Sequence, residues 1–174
     1  DEIELPDLNL DIQFDDLPLI RKRYKGEKIV FCSGSFDLLH AGHILFFEDC
    51  KKYGVILVVM VGSDKNVRSY KGGSRPILNE SVRLKVVSSL KPVDYALLDY
   101  DAKDGDVFAI LTRIFKNLQP DYYVVNEDAK HIARRRDLVR GHRTELMILP
   151  RTCSHEFESI STTDIIDKIR GEQK

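Results

Sequence analysis

Cysteine is scarce. Cys32, Cys50 and Cys153 lie far apart without a CxxC pair, which argues against a zinc site or a disulfide framework and favours a reducing, cytoplasmic setting. Long hydrophobic runs are also missing. The longest, Val55 to Val61, is far short of the about 20 residues a helix needs to span a bilayer, and the N-terminus lacks the basic-then-apolar pattern of a signal peptide, so no membrane partner is expected. Net charge is nearly nil: 27 basic against 28 acidic side chains leave -1. No global field recommends nucleic acid or an anionic membrane, and any anion site must be local. Internal repeats and low-complexity tracts are absent as well. What remains, 174 residues with 43% hydrophobic and 32% charged, suits one globular domain. The chain opens at Asp1 rather than methionine, leaving a shortened chain and one half of a longer polypeptide both open.

Strands and helices alternate along the sequence. Lys28 to Ser33 is short, β-branched and aromatic, as a buried strand is; Val55 to Gly62, continuously apolar, reads as a central strand covered on both faces. Further strands are expected at Asp94–Leu98, Tyr122–Val125 and Leu146–Leu149, and helices at His43–Tyr53, Asn79–Leu90, Val107–Leu118 and Ser161–Arg170, with a basic helix before the last strand. This order predicts an α/β fold, a Rossmann-like doubly wound parallel five-stranded sheet with helices on both faces. Residues 28–174 form the domain in this reading, and the acidic residues 1–27 a mobile or partner-binding lead-in. Ligands of such sheets bind beyond the carboxyl ends of the strands, so the loops there carry the interest.

The loop after the first strand reads Gly34-Ser35-Phe36-Asp37-Leu38-Leu39-His40-Ala41-Gly42-His43. Gly34 lets the backbone turn and approach a ligand. Gly42 and His43 open a helix whose N–H groups favour phosphate, and His40 and His43 are placed to donate hydrogen bonds to oxygens that gain charge in a displacement. Losing one such donor typically costs on the order of 100- to 1,000-fold in rate. Zinc ligation is the weaker alternative, because the spacing is three rather than four and no third ligand is apparent.

These ten residues resemble the G-[ST]-F-D-x-x-H-x-G-H signature of the cytidylyltransferase-like nucleotidyltransferases, relatives of the class I aminoacyl-tRNA synthetases. Near the other end, Ile160 to Ile166 (ISTTDII) resembles the ISTT helix start of the same superfamily. The resemblance implies that Ser161, Thr162 and Thr163 hold the β- and γ-phosphates of CTP or ATP, that Mg²⁺ arrives with the triphosphate, and that Ser35, Phe36, Asp37 and Gly42 border the nucleotide. It further implies that Lys71 and Arg75, in Lys71–Pro76, neutralise charge in the transition state, that Asp37 positions acceptor or metal, and that Arg83, in E-x-x-R, faces the nucleotide. Arg151 matches the arginine of a PRT motif in glycerol-3-phosphate cytidylyltransferases, although residues 153–159 are inserted before ISTT. Asn126 stands where relatives carry a glycine-aspartate motif that helps read the base.

Asp99, Asp101, Asp104 and Asp106 suggest a calcium loop, but Asp104 falls where glycine belongs and Ile110 where glutamate belongs. Lys130 to Arg136 is basic without stacking aromatics, hence a solvated face or subunit contact rather than a nucleic-acid grip. The expected reaction is attack by a phosphorylated sugar or polyol on the α-phosphorus of the nucleotide with loss of pyrophosphate. Residues 71–98 resemble heptose-1-phosphate adenylyltransferases and FAD synthases, whereas PRT with ISTT leans toward glycerol-3-phosphate cytidylyltransferases; flavin mononucleotide as acceptor and a non-catalytic nucleotide-binding domain are the alternatives. Relatives are often dimers, and in the heptose family the domain can follow a sugar kinase, with Gly26 to Phe31 resembling its start.

Overall fold

The computed structural model describes residues 12–100, 106–153, 156–157 and 160–171. The first strand, β1 (Ile29–Gly34), is followed by α2 (Ala41–Lys51), β2 (Ile56–Val61), α3 (Asp64–Lys71), α4 (Glu80–Ser88), β3 (Tyr95–Leu98), α5 (Val107–Leu118), β4 (Tyr122–Asn126), α6 (Ile132–Arg140), β5 (Glu145–Leu149) and α7 (Thr162–Arg170), with a short α1 (Leu17–Arg23) ahead of them. All strand pairs are parallel, and the spatial order is β3-β2-β1-β4-β5. The chain therefore winds outward from β1 to β3, then returns to the other flank of β1 through β4. The order reverses between β1 and β4, where the carboxyl ends leave a crevice.

Alternation along the strands divides the core in two. Ile29, Phe31, Val58, Met60, Tyr95 and Leu97 face one layer with α1 and α5, while Val30, Cys32, Leu57, Val59, Val61, Ala96 and Leu98 face the other with Phe47 of α2 and Leu84 and Val87 of α4. Since β2 is buried at all six positions, its unbroken apolar run follows from cover on both faces. In α5, Phe108, Leu111, Phe115 and Leu118 recur at helical spacing and are buried; Asp106 caps its start, and left-handed Gln119 ends it ahead of Pro120. Among the described residues no helix is long and apolar enough to cross a membrane.

The lead-in expected over residues 1–27 does not hold from Ile12 onward. Leu17 and Ile20 are fully buried in the α5 layer, the Ile12 N–H pairs with the Ala96 carbonyl at 3.0 Å, and Arg21 forms an ion pair with Asp121 at 3.1 Å. The acidic side chains of the stretch masked an apolar stripe of only a few residues. Residues 1–11 lie outside the described ones. The helix α3 is also new relative to the sequence reading, so Lys71 ends a helix rather than sitting in a loop.

Candidate active site

His40 is the N-cap of α2 and His43 its third residue. The His40 ring folds back so that its Nδ1 accepts the Gly42 N–H at 3.1 Å, and the His43 Nδ1 accepts the His40 N–H at 3.2 Å. A Cβ at position 42 would lie 2.8 Å from the His40 ring, which is why the motif needs glycine there. With both Nδ1 atoms accepting, each neutral ring carries its proton on Nε2 and presents a donor away from the helix backbone. The rings stand 4.0 Å apart between centroids. Burial, then the neighbouring His40 ring and the charges of Lys71 and Arg151, push His43 down to about 3. Burial and Arg151 likewise lower His40, against the opposing pull of Asp164. At neutral pH the pair is therefore uncharged.

Cations gather around it. Lys71 reaches the end of β1, its Nζ 2.7 Å from the Ser35 hydroxyl; burial and the nearby Arg75 charge hold it below its ordinary range, and Lys130 adds repulsion. The last is a contribution that sequence reasoning missed, since Lys130 belongs to the run set aside as a solvated face. Arg75 Nε lies 3.1 Å from Asp37. Asp37 also accepts the N–H groups of Ile77 at 2.8 Å and Leu78 at 3.0 Å. Burial alone would raise this carboxyl, but the Leu78 and Ile77 amides and Arg75 outweigh it and hold it below the usual range. Both oxygens are thus engaged within the protein, which corrects the expectation that Asp37 positions acceptor or metal: it clamps residues 75–78 beside the histidines.

The two ends of the chain meet at this point. Thr162 Oγ1 donates to the Asp37 carbonyl at 2.8 Å, and the Ile160 carbonyl comes within 3.8 Å of where a Cβ on Gly42 would stand. Ser161 caps α7, accepting the Asp164 N–H at 3.2 Å and donating to its carboxylate at 2.6 Å. The starts of α2 and α7 therefore adjoin, which brings the positive dipole ends of the two helices together. The Ser161 and Thr162 hydroxyls hold the protein together here, and Thr163 is exposed.

A family model described as cytidylyltransferase-like matches residues 31–168. The chain belongs to the cytidylyltransferase-like family. That membership is the one the sequence resemblance implied. The bifunctional protein HldE of Geobacter metallireducens is 34% identical over 152 residues, covering 85% of this chain and 28% of that protein, and HldE of Azotobacter vinelandii is 36% identical over 147 residues, 84% and 28%. The chain thus spans less than a third of the length of these relatives. A lipopolysaccharide core biosynthesis protein from Thermoplasma volcanium has a similar structure, with TM-score 0.62 and 28% identity over 74% of this chain and 100% of that one. A pantoate-beta-alanine ligase from Francisella tularensis, 15% identical with TM-score 0.61 over 92% of this chain and 76% of that one, shares the fold.

Not every residue expected in the cytidylyltransferase-like site faces it. Arg83 is 1% exposed, and its guanidinium donates to the carbonyls of Ser35 (2.6 Å), Gly62 (2.7 Å) and Leu78 (2.8 Å) and to Asp64 (2.8 Å). It is a strut beneath the site, joining three loops, rather than a nucleotide contact. Phe36, in a left-handed conformation (φ 49°), packs its ring on Phe47 and His43, so its side chain supports the histidine from the core side. Arg151 and Asn126 stand on the β4–β5 flank. Arg151 forms an ion pair with Asp128 yet lies close enough for its charge to lower both histidines, and Asn126 ends β4 at the crevice. The calcium reading fails at its ends: Asp99 accepts the Ser63 N–H, Asp106 caps α5, and Asp101 and Asp104 fall outside the described residues.

Proposed function

We propose that this chain transfers AMP from ATP to the phosphate of a sugar phosphate, releasing pyrophosphate. The observation that supports it most is the meeting of two neutral, Nε2-protonated histidines with the start of α7, tied by the Thr162 hydrogen bond to Asp37. An acceptor phosphate oxygen attacks the α-phosphorus as the bond to the bridging oxygen breaks, and pyrophosphate carries away the electron pair. His40 and His43 donate to oxygens that gain charge; Lys71, Arg75 and Arg151 balance the reactants' negative charge, and the first-turn N–H groups of α7 with Thr163 receive the departing phosphates. Catalysis then rests on alignment and preorganised electrostatics, without a covalent enzyme intermediate.

Neutral histidines suit this work. They donate without the cost of holding buried cations next to Lys71, and a bound polyphosphate compensates the cations that crowd them. In this reading Mg²⁺ arrives with the triphosphate as part of the substrate, while Asp37 is committed to residues 75–78. A sugar phosphate is favoured by the similarity of residues 71–98 to heptose-1-phosphate adenylyltransferases and by the likeness to a lipopolysaccharide core biosynthesis protein. A sugar kinase, fused or separate, would make that acceptor, in keeping with relatives that are bifunctional.

Pyrophosphate release, measured with ATP and CTP against heptose 1-phosphate, glycerol 3-phosphate and flavin mononucleotide, tests this reading. ATP with the heptose phosphate should give the highest kcat/KM. Faster turnover of CTP with glycerol 3-phosphate would overturn the choice of base and acceptor, and no release with any pair would overturn catalysis.

A further inference from the structure

A cleft of about 460 Å³ opens at the end of the sheet opposite the histidines, beside the starts of β1, β4 and β5. Arg21, Lys22, Lys25, Lys28, Lys116 and Arg143 line it, against only Glu27 and Asp121. The length of β1, about 20 Å, separates it from the nucleotide-facing loops, and none of its residues takes part in the transfer proposed above.

Its floor is organised. Asp121 is 7% exposed, accepts the Ile29 N–H at 2.9 Å, and meets Arg21 at 3.1 Å, Arg143 at 3.3 Å and Lys28 at 3.6 Å. One carboxylate thus gathers three cations and cannot neutralise them. Arg21 is fixed further by donating to the Glu27 carbonyl at 2.8 Å. On the rim, Lys22, Lys25 and Lys116 have no carboxylate partner among the described residues. In a chain whose net charge is -1, such a concentration of like charge in a concavity focuses positive potential that a multivalent anion would neutralise. The volume falls in the range of small-molecule sites, about 300–1,000 Å³, and a recess bordered by long cationic side chains suits phosphate groups better than apolar ligands.

We propose that this cleft is a second anion site, which binds a small molecule carrying several phosphate groups, remote from the nucleotide crevice. The ¹⁵N-labelled 174-residue chain, titrated with tripolyphosphate, should show saturable shifts of the Gly26 and Asn117 amides. Lys71→Ala, which alters the nucleotide crevice, should keep them. The triple variant Lys25→Ala, Lys116→Ala, Arg143→Ala should weaken tripolyphosphate at least about tenfold, as expected for lost charge-assisted hydrogen bonds, while its pyrophosphate release without tripolyphosphate stays at the wild-type rate. Shifts reproduced by sodium chloride at equal ionic strength, shifts unchanged in the triple variant, or saturation by a poly-glutamate peptide but not by tripolyphosphate would each overturn the proposal. Failure of the transferase reading would leave this readout intact.

Discussion

Replacing His40 separates two jobs that the structure assigns to one ring. Its Nδ1 caps α2 through the Gly42 N–H at 3.1 Å, and its Nε2–H is the donor we assign to the reacting phosphate. His40→Ala removes both. Loss of an N-cap typically costs about 1 kcal/mol, within a range of about 0.5–2, and for a chain of this size 1 kcal/mol corresponds to roughly 2–4 °C in Tm. Loss of the donor should lower kcat by about 100- to 1,000-fold. His40→Asn then divides the roles, since asparagine is among the best N-cap residues and its side-chain oxygen can take the Gly42 N–H, while its amide is too short to reach where Nε2 stood. Thermal unfolding should place His40→Asn within about 1 °C of the wild type, on the same cap and scaling argument, and pyrophosphate release should leave it nearly as slow as His40→Ala. If His40→Asn regains the wild-type rate along with stability, the ring is a cap and the donor assignment is wrong. If His40→Ala turns over within about fivefold of the wild type, well short of what losing a preorganised donor costs, the catalytic reading of the motif fails.

Arg83→Met leaves three carbonyls and Asp64 without the buried guanidinium that joins them, so urea denaturation should show a loss of about 3–5 kcal/mol. Leu17→Ala and Ile20→Ala, both at fully buried positions, should each cost about 2–5 kcal/mol; near-zero costs would return residues 12–27 to the status of a loose lead-in. His43 sets a pH dependence. Its folded value lies near 3 against about 6.5 unfolded, so the unfolded chain takes up a proton first as pH falls, and stability present above about 6.5 is lost progressively toward 3. Between pH 7.5 and pH 5 the wild type should lose about 1–2 kcal/mol more than His43→Gln, the fuller linkage value of about 2 being reduced for the ring's remaining exposure. Equal losses in the two proteins would show that His43 titrates normally.

Legibility in the sequence followed the range of the interaction concerned. The run from Val55 to Val61 and the spacing of Phe108, Leu111, Phe115 and Leu118 are local patterns, and both became the elements they suggested. Asn79 and Ser161 are caps readable from their own next three residues, and each accepts the N–H at that distance, from Val82 and Asp164. In α3 the sequence DKNVRSYK has so few apolar residues that only Asn66 and Val67 are buried, and no periodicity could announce it. The short α1 was hidden for a similar reason, because two buried residues between the acidic Asp15 and Asp16 and the basic Arg21 to Arg23 make no stripe.

The charged residues of the motifs show a different limit. A motif states that an aspartate or an arginine is required, but whether that charge meets substrate or protein depends on partners that lie far along the chain. Asp37 and Arg83 are separated by 46 positions, yet they hold consecutive parts of the same loop: Asp37 takes the amides of Ile77 and Leu78, and Arg83 takes the Leu78 carbonyl. Both are engaged within the protein, close to 0% and 1% side-chain and residue exposure respectively, so neither is placed to contact a ligand directly. What they do is keep Arg75 and the end of β1 at a set distance from His40 and His43. Lys71 and Arg151, which keep part of their surface, are then the cations able to respond to a triphosphate. A site that must stabilise charge quickly needs groups that do not have to reorganise, and the division between buried struts and accessible cations is how this fold supplies them.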